Sequence, residues 1–175
     1  MGSASLYFEL APRSGILADI NSELVEAFQV VKDNPAAVSE SLNRYPLGEE
    51  TYYSLRDLNP KTLDRLDRTA RFIYLNRFCF NGLYRTNKKG WFNVPYSPRK
   101  TGPLPPLIHL ISVAKVLRRA RIVCADFEDT LDQTRPGDFA YIDPPYALRR
   151  RRVFREYAAN GFSAADLGRL REALR

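Results

Sequence analysis

RIVCADF, residues 121–127, is a short apolar run that stops on an acid. Two other stretches repeat that grammar: GILAD, residues 15–19, and DFAYIDPPY, residues 138–146. Each reads as a buried strand leading into a turn, and helical patterns fill the spaces between them. Asn21 or Ser22 can cap a helix in which Leu24, Phe28 and Val31 fall at i, i+4 and i+7 and which stops before Pro35. Pro35 is placed to open a short helix through Val38 and Leu42, after which YPLGEE, residues 45–50, reads as turn-rich. Asn59-Pro60 opens a longer predicted helix with Leu63, Leu66, Ala70, Ile73 and Arg77 along one face. A third has the stripe Leu107, Leu110, Ile111, Ala114 and Leu117; its His109 reads as a surface residue rather than a ligand. FSAADLGRLREALR, residues 162–175, starts with a capping box from Ser163 to Asp166 and has Leu167, Leu170 and Leu174 as its stripe. Strands separated by helices predict an open α/β sheet. Ligands of such sheets sit beyond the carboxyl ends of the strands, where Asp19, Asp126 and Asp143 are expected to meet.

Composition narrows the class. The 175 residues suffice for one domain with a sizeable core, and 45% hydrophobic with 12% aromatic residues argues for a folded globule. No stretch approaches the roughly 18 unbroken apolar residues of a membrane span. The N-terminal MGSASLYFEL lacks the basic-then-apolar design of a signal peptide, so the expectation is a soluble, cytoplasmic protein. Cys79 and Cys124 stand far apart without CxxC spacing, which argues against a zinc site or a disulfide framework and for free thiols.

The net charge is +7, and its placement says more than its size. Residues 77–101 hold Arg77, Arg85, Lys88, Lys89, Arg99 and Lys100 with no acid, and residues 147–155 hold Arg149, Arg150, Arg151, Arg152 and Arg155. Without these two patches the remainder is acidic. An acidic globule with two basic patches suits the grip of a polyanion. Within the first patch, β-prone runs around Leu83 and Tyr84 and around Trp91 to Val94 flank TNKKG, which predicts a hairpin with Gly90 at its turn.

The tetrapeptide Asp143-Pro144-Pro145-Tyr146 carries its own chemistry. An exocyclic amine on a nucleobase is a poor nucleophile because its lone pair is delocalised into the ring. Methylating it requires acceptors for both N–H groups, so that the nitrogen can pyramidalise. One carboxylate oxygen and one carbonyl of fixed direction suffice, and two prolines lock φ while removing competing donors. An aromatic ring beside them offers a face on which a planar base can stack. A base inside a duplex reaches such a clamp only when flipped out, at a cost of a few kcal/mol.

The segment YLNRFCFNGLYRTNKKGWFNVPYS, residues 74–97, resembles the DNA-recognition hairpin of the Dam-like DNA adenine-N6 methyltransferases of the D12 class, whose pattern runs N-R, N-G-L-x-R, G-x-F-N-V-P. ILADIN and IDPPY flank it in that family's order, and FREYAANGFSAADLGRL resembles the stretch after the tetrapeptide. The resemblance implies an S-adenosylmethionine-dependent, Rossmann-like methyltransferase sheet, formed by residues 1–45 and 103–175, with an inserted helical and β-hairpin DNA-recognition subdomain at 46–102. It implies transfer of methyl to N6 of a flipped adenine in double-stranded DNA, at a GATC-like site. Gly2, Asp19, Asp126, Phe127 and Asp143 would bind the cofactor: Asp19 at its ribose hydroxyls, Asp126 with Phe127 at its adenine. Asp143 and Pro144 would accept from the target amine, Pro145 would stiffen the clamp and Tyr146 would stack. Phe80 and Asn81 would fill the space left by the flipped base, and Leu83, Arg85 and Pro95 would contact base pairs. Lys88, Lys89, Arg99, Arg149 and Arg150 would complete the DNA surface. The cellular place implied is the nucleoid, with no metal, no membrane, and a cognate restriction endonuclease as a partner the sequence leaves open.

Departures from the pattern shape a second expectation. The family opens with a strand and a glycine-rich F-x-G-x-G turn; here Gly2 is kept, Ala4 stands where the second glycine is expected, and Ser97 replaces a further glycine. The resemblance therefore implies truncation at both ends, with the central strand missing and the cofactor pocket open on one side. Single residues also have plain rivals: Asp19 as a helix cap, Phe127 as core, Phe80 as a packed aromatic. The alternative to an enzyme is a DNA-binding fragment without catalysis. Methylation of RNA or of protein amides is disfavoured by the hairpin and by Asp143, where protein-directed enzymes commonly carry asparagine.

Overall fold

The structure, a computed structural model, describes residues 1–87, 90–97, 102–144 and 162–174. β1 (Gly15–Asp19) lies parallel to β2 (Ala120–Cys124), in a register that sets Asp19 opposite Cys124. Parallel strands need a crossover connection, and here the crossover contains α2 (Ser22–Asp33), α3 (Pro35–Asn43), α4 (Glu49–Asp57), α5 (Arg65–Phe78) and α6 (Leu107–Leu117). α1 (Ser5–Leu10) precedes β1, α7 (Phe127–Leu131) follows β2, and α8 (Ala164–Ala173) lies near the C-terminus. The protein is thus mixed α/β with a small parallel sheet.

Local chemistry explains most of the boundaries. The Asn21 side-chain oxygen accepts from the backbone N–H groups of Glu23 and Leu24, at 3.1 and 3.3 Å, and so caps α2. Asn34 ends α2 and caps α3, with Pro35 in the first helical position, where a missing N–H costs nothing. Ser163 and Asp166 form the expected capping box of α8. The carbonyls of Ala120 and Ile122 accept from Lys32 Nζ and Gln29 Nε2, each at 2.9 Å, so two α2 side chains cover strand groups that would otherwise be open to pairing.

The core gathers Leu17 and Ile122 of the sheet with Val25, Val31, Val38, Leu42, Tyr52, Tyr74, Leu75 and Leu117 of the helices. α2 is the hub, packed on α5, α6 and both strands. That crowding turns Val25 and Ala27 inward as well as Val31, while Phe28 is only half-buried and stacks on Phe8 at 6.3 Å between ring centres. Glu26 of α2 takes Arg68 Nε and Nη2 at 2.7 and 2.9 Å and Arg65 Nε at 3.2 Å, which holds α2 against the start of α5.

Four sequence expectations are corrected. The helix expected to open at Asn59-Pro60 begins at Arg65 instead. Pro60–Thr62 forms a separate 3-10 turn under the Asn59 cap, Leu63 is extended, and Asp64 provides the effective cap through the Asp67 N–H at 2.8 Å. The segment after YPLGEE holds α4, whose signals were two acids in the first turn, Arg56 in the last, and Tyr52 and Leu55 buried three apart. The α6 and α8 stripes are narrower than read: Leu107, Ile111, Leu167 and Leu174 are exposed, leaving Leu110, Ala114, Leu117 and Leu170 buried. Finally, the described part of DFAYIDPPY, residues 138–144, forms no strand, and Phe139 is 76% exposed. An apolar run signals a wish for burial, but a strand also needs a ladder partner, and none is present among the described residues.

Candidate functional site

The carboxyl end of the β1–β2 pair brings two expected acids together. β1 ends in Asp19 and β2 runs out through Ala125, whose N–H donates to the Asp19 carbonyl at 3.2 Å, directly before Asp126. The Asp19 carboxylate accepts from the N–H of Asn21 at 2.9 Å and of Gly2 at 3.1 Å, and pairs with the Met1 ammonium at 3.2 Å. It is therefore fixed in direction at the start of α2. Gly2 has φ +53° and Ala4 φ +54°, so the position expected to be a glycine adopts the left-handed conformation that glycine takes without strain.

Asp126 caps α7, accepting from the Glu128 N–H at 3.0 Å. Arg169 of α8 reaches it at 2.9 Å, pairs with Glu128 and Asp166, and stands 4.9 Å over the ring of Phe127. The bonds to Glu128 and Asp166 hold the Arg169 guanidinium above its ordinary range, while hydrogen bonds from the Ser163 hydroxyl and N–H, and then from Arg169, hold the Asp166 carboxyl below its own. Phe127 also meets Phe162 edge-on at 6.2 Å. The arrangement sets a directed carboxylate at one strand edge with a second carboxylate and an aromatic ring that Arg169 engages: acceptors of the kind ribose hydroxyls need, and a ring of the kind a heteroaromatic base packs on. Arg169 was missed from sequence, where an arginine in a C-terminal helix looks like any other; its only signal was its place in a stretch matching the family pattern.

Asp143 is exposed on the irregular segment that ends the described residues at Pro144. The other two acids come to one strand edge through the backbone bond from the Ala125 N–H to the Asp19 carbonyl. Pro145, Tyr146, Lys88, Lys89, Arg99, Arg149 and Arg150 lie outside the described residues.

The hairpin expected at 74–97 is present as a ladder without continuous strands. Cys79 bridges Tyr96 and Thr86 bridges Phe92, both antiparallel. Phe80 N–H donates to the Pro95 carbonyl and Ser97 N–H to the Phe78 carbonyl, each at 3.0 Å, while the Gly90 N–H closes a turn onto the Asn87 carbonyl at 2.9 Å. Gly90 has φ +79°, the left-handed conformation that glycine takes without strain. Phe80 and Asn81 project from a 3-10 turn in which Asn81 has φ +55°, and both are exposed beside exposed Pro95. Leu83 and Arg85 are half-buried further along. Arg85 donates from Nε to Asn93 Oδ1 at 2.8 Å and from Nη2 to the Asn93 carbonyl at 3.3 Å.

Three anchors hold the hairpin to the helices. Tyr52, fully buried on α4, donates its hydroxyl to the Val94 carbonyl at 2.9 Å, and its ring lies 5.4 Å from Tyr96. Burial drives its phenol well above the ordinary range. Tyr84 packs between Phe72 and Phe92, at 5.7 and 5.8 Å, and its hydroxyl reaches Glu23 of α2 at 3.4 Å; burial raises the Glu23 carboxyl. The Cys79 thiol donates to the carbonyls of Asn76 and Leu83, and burial pushes it up to about 11. Cys124 is exposed. A thiol that keeps its proton inside the fold is inert, so the native chain is expected to take up one equivalent of iodoacetamide, at Cys124, and two once unfolded. Rapid double labelling of the native chain, read by intact mass, would overturn this.

Among the described residues no helix is long and apolar enough to cross a membrane, and no cluster of three or more His, Cys, Asp or Glu side chains is placed to hold a metal ion.

The family model for D12 class N6 adenine-specific DNA methyltransferase matches residues 1–175. The chain is 35% identical to the type II methyltransferase M1.LlaDCHI of Lactococcus lactis subsp. cremoris, over 100% of this chain and 65% of that protein. It is 36% identical to the type II methyltransferase M.MjaIII of Methanocaldococcus jannaschii, over 97% of this chain and 64% of that protein. With the DNA adenine methylase of Vibrio cholerae it shares 35% identity, over 95% of this chain and 61% of that protein. The chain therefore spans somewhat under two thirds of the length of these relatives.

Proposed function

Since the chain belongs to the D12 class N6 adenine-specific DNA methyltransferases, we propose that it carries the cofactor edge, the amine clamp and the DNA-reading hairpin of an enzyme that methylates adenine N6 in double-stranded DNA, at a GATC-like site. Residues 1–45 and 103–175 form its Rossmann-like cofactor part and residues 46–102 its inserted recognition part. One observation supports this reading above the rest: the parallel β1–β2 pair sets Asp19 beside Asp126 and Phe127 at one carboxyl edge, where open α/β sheets bind nucleotides.

S-adenosylmethionine, when bound, supplies an electrophilic methyl group. The work of this chain is then to bind and to orient. Asp19, directed by its two backbone donors, takes the ribose hydroxyls, and Asp126 with Phe127 takes the adenine of the cofactor. Gly2, in its left-handed conformation, lets the backbone come close to that ligand. Asp143 and the Pro144 carbonyl accept the two N–H groups of the target amine, so that its lone pair leaves conjugation with the ring. Pro145 stiffens that carbonyl's direction and Tyr146 stacks on the base. Such a base must be flipped from its helix, and exposed Phe80 and Asn81 are available to fill the gap it leaves. Leu83, Arg85 and Pro95 face base pairs, while Lys88, Lys89, Arg99, Arg149 and Arg150 meet phosphates. This assigns the protein to the nucleoid; a cognate endonuclease would be its natural partner in a restriction pair.

Calorimetric titration with S-adenosylmethionine tests the reading. Saturable binding is expected, weakened roughly 10- to 100-fold by Asp19→Ala, the range for a hydrogen-bonded charged acceptor. Phe127→Ala, which leaves the turn at Asp19 intact, should weaken it as well. A folded chain that binds no cofactor would overturn the methyl-transfer reading and leave DNA binding as the activity to measure.

A further inference from the structure

We propose that Asn93 is a positioning residue that aims Arg85 for base readout, an inference that rests on reading the hairpin as the DNA-binding element. The two residues face each other across the ladder: Asn93 N–H donates to the Arg85 carbonyl at 3.0 Å, so their side chains leave the backbone from paired positions. Arg85 then returns two bonds, from Nε to Asn93 Oδ1 at 2.8 Å and from Nη2 to the Asn93 carbonyl at 3.3 Å. An arginine fork only donates, so this contact also decides which way the Asn93 amide faces.

Asn93 can act as a fixed post because its neighbours are buried and bonded. Phe92 and Val94 on either side are buried, Phe92 is bridged to Thr86, and the Val94 carbonyl holds the hydroxyl of fully buried Tyr52. A free arginine must give up its rotamer freedom on docking against a base, whereas one already held by Nε and Nη2 has lost much of it beforehand. The chemistry of the post matters too. A neutral amide oxygen orients the guanidinium without adding a negative charge beside it, where an aspartate would orient it equally and add one.

Two readouts on Asn93→Ala and Asn93→Asp test the proposal, alongside Arg85→Ala. The first, relaxation of the Arg85 Nε–H signal in the free protein, needs no DNA: its order parameter should fall in Asn93→Ala and stay high in Asn93→Asp. The second uses a GATC-containing duplex and duplexes with each base pair of that site replaced in turn. Asn93→Ala should lose about fivefold of discrimination at a single base pair, the one at which Arg85→Ala loses most, with affinity for the other duplexes within about twofold. Asn93→Asp should keep the preference while weakening binding to every duplex. An unchanged order parameter in Asn93→Ala overturns the positioning role. A lowered order parameter with unchanged discrimination, or an Arg85→Ala protein that discriminates as the parent does, overturns instead the assignment of Arg85 as a base reader, and the proposal with it.

Discussion

Asp143→Ala should lower the rate of methyl transfer to adenine N6 by about a thousandfold, within the range found when a positioned proton acceptor is removed from a site, while leaving the fold intact. The two halves of that expectation come from different observations. On the proposed reading Asp143 and Pro144 form the clamp for a flat amine, so without the carboxylate the amine would keep its conjugation and its poor nucleophilicity. The structure places the same residue on an exposed, irregular segment, and exposed side chains of that kind change stability by about 0.5 kcal/mol or less. A methylation assay on GATC duplexes beside a thermal melt separates the two. A variant that keeps a tenth of the parent's rate would show that Asp143 is not the acceptor, and one that melts many degrees lower would show that it is structural.

Tyr52→Ala should cost about 4 kcal/mol of stability, as removal of a large buried aromatic does, against the roughly 5–15 kcal/mol that holds a domain of this size together. Tyr52 has no exposed surface, touches the rings of Tyr53 and Tyr96 at 5.5 and 5.4 Å, and is the hydrogen-bond donor to the Val94 carbonyl. Tyr52→Phe keeps the ring and removes only the donor. Its cost is expected near 1–2 kcal/mol, because a buried carbonyl is left without its partner. Denaturant titration of both variants measures the two contributions apart. If Tyr52→Phe unfolds with the parent, the Val94 hydrogen bond contributes nothing and the anchor is packing alone. On the reading of the hairpin as a DNA-binding element, loosening this anchor beside Asn93 should also weaken its discrimination between duplexes.

Much of this was legible in the sequence, for reasons that can be named residue by residue. Asn21, Asn34-Pro35 and the Ser163–Asp166 box specify helix starts because a cap acts within three residues of itself. GILAD and RIVCADF could be read as strands because their apolar runs are both short and partnered. Asp19 and Asp126 could be placed at one edge because parallel strands in a crossover end on the same side. The hairpin was legible through Gly90 and the β-prone runs around it.

Other features depend on groups far apart in the chain. The start of α5 went to Asp64 rather than Asn59-Pro60, although both sites carry local capping signals. α4 exists around Tyr52 and Leu55, and Arg71, buried on α5, donates to the Leu55 and Arg56 carbonyls at its end. The run at 138–144 has the pattern of a strand and no ladder to join. Arg169 comes to lie over Phe127 and on Asp126 across 43 residues, and Asn93 meets Arg85 only because the turn between them brings the ladder into register. Local chemistry along the chain therefore sets the short-range features: caps, turns, the period of the apolar positions and the chemical types in each motif. Which helix face is buried, which strand is paired and which side chain holds another in place follow from how the elements pack, since burial and hydrogen bonding are properties of two surfaces and a single stretch of sequence specifies one of them.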